Sequence, residues 1–175
     1  MEGPMLLSCY WVLPGRLLAG EYPGAGEPRL SQARLRWLLS QGVTWVLDLT
    51  QAGEYGLPPY ADWLQAAAAA DGRRVAWQRQ PVRDYDTPSL DEMEHIQQAL
   101  QSALADGHTI YIHCYGGVGR TGTVVGCFLR RQGFDGPAAL AEIARLRQGL
   151  IGGERPSPET EAQRRMIAEW EAGTQ

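Results

Sequence analysis

The sequence predicts an α/β fold, with a central, mostly parallel sheet flanked by helices in a single domain over residues 1–175. Two observations carry that expectation. Apolar runs of strand length alternate with longer stretches whose apolar residues recur at helical spacing. The clearest run, Val43-Thr44-Trp45-Val46-Leu47-Asp48-Leu49, is apolar at nearly every position, which suits a parallel strand buried on both faces. At 175 residues the chain can bury a sizeable core but is short for two domains.

Taken in order, Tyr10 to Gly20 reads as short extended segments broken by Pro14-Gly15. Residues 28–41 set Leu30, Ala33, Trp37 and Leu38 at helical spacing, with Gly42 as the stop. The strand at 43–49 follows, then a Pro- and Gly-rich loop (53–59) and a helix over about 60–71 containing five consecutive alanines. Val75-Ala76-Trp77 begins a strand ending near Pro81. Ser89-Leu90-Asp91-Glu92 is a capping box, after which Met93, Ile96, Leu100 and Leu104 run down one face until Asp106-Gly107. Thr109 to His113 is a further strand. Helices are expected from Arg120 to about Gln132, stopped by Gly133, and from about Pro137 to Gln148. Ser157-Pro158 has the look of an N-cap with proline in the first turn, opening a last helix to about Trp170.

Composition narrows the function classes. A net charge of −4 argues against a nucleic-acid partner. There is no apolar run long enough to span a bilayer. The opening Met1-Glu2-Gly3 places an acid where a signal peptide needs a basic region; the expectation is a cytoplasmic protein without a membrane partner, and a monomer. All 16 basic residues are arginine, so any charge-assisted contact to an anion must use arginine, histidine or backbone. Cys9, Cys114 and Cys127 are odd in number and have no metal-type spacing, so neither a disulfide framework nor a metal or other cofactor is expected.

One segment carries chemistry: His113-Cys114-Tyr115-Gly116-Gly117-Val118-Gly119-Arg120-Thr121-Gly122. Glycines let a backbone curl tightly and turn successive N–H groups inward as a nest for an anion. The helix that follows adds its N-terminal amides and dipole. A cysteine in such surroundings is favoured as the thiolate. Spacing alone decides little, since a cysteine six residues before an arginine arises easily by chance in so arginine-rich a chain. The context decides: of the three cysteines, only Cys114 has a strand before it, glycines after it and a helix opening at its arginine.

His113-Cys114-x5-Arg120-Thr121-Gly122 resembles the signature of the cysteine-dependent protein-tyrosine phosphatases, particularly the dual-specificity branch. With Tyr115-Gly116-Gly117 it is most similar to kinase-associated phosphatases and bacterial members. Trp11 to Leu17 is similar to that branch's opening, Pro81 to Pro88 to its general-acid loop, and Ser157 to Gln163 to the start of its last helix. The resemblance implies a phosphatase fold and hydrolysis of phosphotyrosine, with phosphoserine and phosphothreonine as further candidates, in a phosphorylated protein substrate. Cys114 would be the nucleophile. Arg120 and the amides of Tyr115, Gly116, Gly117, Val118 and Gly119 would bind the phosphate. Asp84, four residues before Pro88, is preferred over Asp86 as the general acid. His113 would orient the loop, Thr121 would donate a hydrogen bond to the sulfur, and Gln163 would help place the hydrolytic water. Two alternatives stand beside this reading: a phosphatase for phosphoinositides or other small molecules, and a silent phospho-binding module. The uncharged Tyr115 and Val118 favour a substrate with one phosphate. Glu54, Tyr55 and Tyr60 fit either the substrate mouth or loop packing.

Overall fold

The computed structural model describes residues 7–171; residues 1–6, most of the stretch read for a targeting signal, lie outside them. Strands β1 (Cys9–Leu13) and β2 (Leu17–Gly20) form an antiparallel hairpin. Its turn needs Gly15, which takes the left-handed φ of 70° that costs a side-chain-bearing residue more. Then follow α1 (Pro28–Ser40), β3 (Trp45–Asp48), α2 (Ala61–Ala70), β4 (Ala76–Arg79), α3 (Leu90–Ala105) and β5 (Ile110–His113). Helices α4 (Arg120–Arg131), α5 (Gly136–Leu146) and α6 (Glu161–Glu169) complete the chain. The sheet order is β1-β2-β5-β3-β4, with only β1 antiparallel. The expected mostly parallel sheet is therefore present. Among the described residues no helix is long and apolar enough to cross a membrane.

Helices cover both faces. Leu35, Leu38, Leu39, Leu64 and Ala68 of α1 and α2 pack on one side of the sheet. Residues of α3 to α6, among them Met93, Ile96, Val124, Phe128, Ile143 and Ile167, pack on the other. The central strand β5 alternates between them: Ile110 and Ile112 join the second core and Tyr111 the first, as the two-residue period of a strand requires. The alternation continues past the strand end, so Cys114 lies on the α4 side, while His113 contacts Tyr22 and Tyr60 on the α1/α2 side.

Ser89 caps α3 in the expected capping box with Glu92. The start of α6 is a correction. Ser157 is not its N-cap; Thr160 is, accepting from the Gln163 N–H while the Gln163 side chain accepts from the Thr160 N–H. A complete capping box satisfies two orphan amides, so the helix opens there rather than at Ser157-Pro158. The Ser157 hydroxyl instead donates to the Val118 carbonyl at 2.7 Å and tethers the glycine-rich loop. Gly122 and Gly126 permit this approach. A Cβ on Gly122 would lie 2.3 Å from the Ser157 hydroxyl, and one on Gly126 would lie 2.2 Å from Ile167.

Candidate active site

Because β2, β5, β3 and β4 are parallel, their carboxyl ends share one edge of the sheet, where open α/β sheets build their sites. The loop after β3 delivers Glu54 and Tyr55, the loop after β4 delivers Asp84, and the loop after β5 is the glycine-rich segment itself. Gly117 turns that loop with φ of 70°. Its missing side chain also matters, since a Cβ would stand 2.4 Å from the Gly20 backbone. None of the main-chain N–H groups of residues 115–120 finds an acceptor among the described residues. Unpaired donors so close together are costly unless an anion or water meets them.

Cys114 (3% exposed) and Arg120 (1% exposed) lie at the base of this nest. They are near enough for charge on one to act on the other. Nη1 and Nη2 of Arg120 donate to Oε2 and Oε1 of Glu54 at 2.8 and 2.6 Å. Nη1 also donates to the Val82 carbonyl at 2.9 Å. Asp84 Oδ1 stands 3.1 Å from Nη2. Burial opposes the charge on the guanidinium, but Glu54, Cys114 and Asp84 outweigh it and hold the group protonated. One donor is left over: Arg120 Nε is buried without a partner. Thr121 Oγ1 is likewise buried and unpartnered, so the expected hydrogen bond from Thr121 to the sulfur is not formed in this state.

The two candidate acids are separated. Asp84 reaches Arg120 and accepts a 2.7 Å hydrogen bond from the Tyr55 hydroxyl, which pushes the Tyr55 phenol up. Asp86 turns its carboxylate back to the Thr87 N–H. Tyr55 and Tyr85 have left-handed φ values of 51° and 61°, conformations that persist in residues with side chains only where neighbours enforce them. Tyr55 packs edge-on against Tyr115, ring centroids 5.4 Å apart, and with the exposed Tyr85 they leave an aromatic rim around the nest. Gln163 is occupied: its Oε1 accepts from the Glu159 and Thr160 N–H groups, and its Nε2 donates to the Asp86 carbonyl. It anchors the acid loop to α6, close beside Gly119.

His113 supports the loop from below. Nδ1 lies 3.0 Å from the Cys114 carbonyl, which can only accept, so Nδ1 carries the proton. Nε2 is then bare and accepts from the Tyr60 hydroxyl, to which Trp77 donates in turn. Burial pushes the His113 imidazole below its ordinary value of 6.5, with nearby Asp48 opposing. A histidine kept neutral when folded resists a proton that the unfolded chain accepts below that value, so stability falls as pH drops beneath about 6.5. We expect thermal melts from pH 7 to 5 to show this loss, at most about 1.4 kcal/mol per pH unit, and a shallower slope in His113→Gln. Equal slopes would contradict the assignment.

Two functional partners have little sequence signal. Glu54 fitted either the substrate mouth or loop packing in the sequence, and its pairing with Arg120, 66 positions away, had no local signal. Asp48 closes an apolar strand; its buried carboxylate accepts from the Thr50 N–H and hydroxyl and from Arg79. A lone acid inside an apolar run was the available clue.

Residues 7–169 match the family described as Swiss Army Knife protein, DSP-PTPase phosphatase domain. Protein 067L of Invertebrate iridescent virus 3, named provisionally as a tyrosine phosphatase, is 30% identical over 118 residues, 65% of this chain and 42% of its own. The chain spans about two fifths of the length of the curated relatives it matches. Tk-PTP in its active form superposes with a TM-score of 0.70 at 25% identity, covering 93% of this chain and 95% of that one. Kinase associated phosphatase, carrying serine for its catalytic cysteine, gives 0.75 at 22% identity over 97% and 95% of the two chains; it bears on the fold alone.

Proposed function

Since the chain belongs to the DSP-PTPase phosphatase domain family of the Swiss Army Knife proteins, we propose that it hydrolyses phosphotyrosine in proteins, with phosphoserine and phosphothreonine as lesser substrates, through a phospho-cysteine at Cys114. The observation that carries this reading is the set of unpaired donors around one thiol: the amides of 115–120 and the buried Nε of Arg120. They suit the equatorial oxygens of a phosphoryl group, whose transfer depends on positioning and charge stabilisation. The Cys114 thiolate attacks phosphorus as the P–O bond to the leaving group breaks, and the Asp84 carboxyl gives that oxygen its proton. The Asp84 carboxylate then takes a proton from water, which breaks the S–P bond, releasing inorganic phosphate and restoring the thiolate. The aromatic rim of Tyr55, Tyr85 and Tyr115 supports an aryl leaving group.

Purified protein assayed for kcat/KM on matched phosphotyrosine and phosphothreonine peptides and on inositol phosphates tests the substrate class; we expect the phosphotyrosine peptide to lead, and an inositol phosphate in first place would overturn the assignment. Asp84→Asn is expected to lower kcat on the phosphotyrosine peptide roughly 100-fold, the lower range for a lost general acid. Asp86→Asn, whose carboxylate only closes its own turn, should stay close to wild type. The reverse order would move the acid to Asp86.

A further inference from the structure

The turn after β3 reaches the nest with a tyrosine at a position that suits glycine. Gly53, Tyr55 and Gly56 all take left-handed φ values, of 73°, 51° and 65°. Glycine adopts that conformation freely, whereas a tyrosine keeps it only where its surroundings enforce it. The backbone of the turn does so. The Glu54 N–H donates to the Gln51 carbonyl at 3.2 Å, the Gly56 N–H to Gly53 at 3.1 Å and the Leu57 N–H to Glu54 at 2.9 Å. The Glu54 carboxylate is fastened as well, to Arg120 and by the Gln51 N–H at 3.0 Å. The Tyr55 side chain is the loose part. It is 67% exposed, and among the described residues its hydroxyl makes one hydrogen bond, the 2.7 Å bond to Asp84 Oδ2. Its ring meets only that of Tyr115, at the start of the glycine-rich loop, and no other ring among the described residues. The other Asp84 oxygen, Oδ1, is taken twice over, by Arg120 Nη2 at 3.1 Å and by the Tyr85 N–H at 3.0 Å.

We propose that Tyr55 is a gate whose phenol occupies, in the free protein, the place on Asp84 that the substrate's leaving oxygen takes during phosphoryl transfer. The proposal rests on the phosphatase reading of the nest. A general acid must touch the leaving oxygen to give it a proton. With Oδ1 held by Arg120 and the Tyr85 N–H, Oδ2 is the atom left for that contact, and the Tyr55 hydroxyl covers it. The covering oxygen is phenolic, as is the leaving oxygen of phosphotyrosine. A substrate therefore has to break the Tyr55 bond before Asp84 can serve it. The exposed side chain can turn aside between rotamers while the hydrogen-bonded turn keeps its backbone. The nest is not part of this competition, since an oxyanion without a leaving group does not need Oδ2.

The gate can be read without turnover in the Cys114→Ser chain, which keeps the nest and lacks the thiol. Calorimetric titration with a phosphotyrosine peptide should give a Kd about tenfold lower in the Cys114→Ser, Tyr55→Phe double variant than in Cys114→Ser, because no bond to a charged group has to be broken first. Tungstate, which has no leaving group, should bind the two alike. Tyr55→Phe keeps the ring that meets Tyr115, and the position is exposed, so the fold is not at stake. With Cys114 in place, the same gain should appear as a lower KM for the peptide. An unchanged or higher Kd for the peptide in the double variant would overturn the gate. An equal gain for tungstate would overturn it too, since the whole loop would then have loosened. So would a fall in kcat with KM unchanged, which would make Tyr55 an orienting partner of Asp84. Tighter peptide binding without any turnover in the chain that keeps Cys114 would overturn the catalytic reading and leave Tyr55 as the gate of a phosphotyrosine-binding nest. Turnover of the peptide with no change on removing the hydroxyl would do the reverse.

Discussion

Cys114→Ser is expected to lower turnover of para-nitrophenyl phosphate by roughly 10,000-fold or more, the scale seen when a covalent nucleophile is removed. The reason lies in what surrounds the residue. A serine hydroxyl needs a base to become a nucleophile, and the only nearby imidazole, His113, has Nδ1–H committed to the Cys114 carbonyl and Nε2 to Tyr60. The carboxylate of Asp84 is engaged by Arg120 and by the Tyr55 hydroxyl, and the first step needs that group as the acid for the leaving oxygen, not as a base for serine. The donors proposed to hold the anion, the unpaired 115–120 amides and Arg120, do not involve the sulfur, so the variant should still bind tungstate about as tightly as the wild type. Rapid-quench mass spectrometry of the wild type should meanwhile show one added phosphoryl group on the peptide containing Cys114. Residual turnover above about one per cent of wild type would sink the covalent route, because the remaining nest and Arg120 account for charge stabilisation but not for a second nucleophile.

What could be read from the sequence follows distance along the chain. The glycine-rich loop is contiguous, so its strand, turn and helix cues all fall within a few residues of Cys114 and Arg120. The parallel sheet was legible because apolar strand-length runs bound to helical stretches leave few other ways to bury both faces. Asp84 was preferred only through the resemblance, whose acid loop has an aspartate four residues before a proline. The pairing of Glu54 with Arg120 was not legible, since it forms only once the ends of β3 and β5 are brought together. The start of α6 was misplaced for a local reason: two capping signals lie three residues apart, and the pair able to satisfy both amides, Thr160 with Gln163, prevails over Ser157-Pro158. Gln163 was named for water placement, yet its buried amide is committed to the cap and to Asp86, a use visible only with α6 packed beside the acid loop.

Arg120→Lys should cost about 1,000-fold in kcat/KM, the upper range for the loss of an oriented transition-state donor. Charge is conserved in this change, so the loss isolates geometry. The arginine gives Nη1 and Nη2 to the Glu54 oxygens and Nη1 also to the Val82 carbonyl, and keeps a buried, unpartnered Nε. A lysine ammonium is a single point; bonded to Glu54 it leaves the nest, and turned to the nest it abandons a carboxylate only 6% exposed. Glu54→Gln then tells whether that carboxylate positions the arginine or competes with substrate. If it positions, removing its charge frees Arg120 to swing, so kcat falls about tenfold, in keeping with one lost charge-assisted bond, while phosphate binding stays equal or tightens. If it competes, kcat/KM rises in the variant, and Glu54 would be a barrier that the incoming phosphate must displace. The bidentate contact on the far edge of the fork, with Nε left open, favours the first outcome.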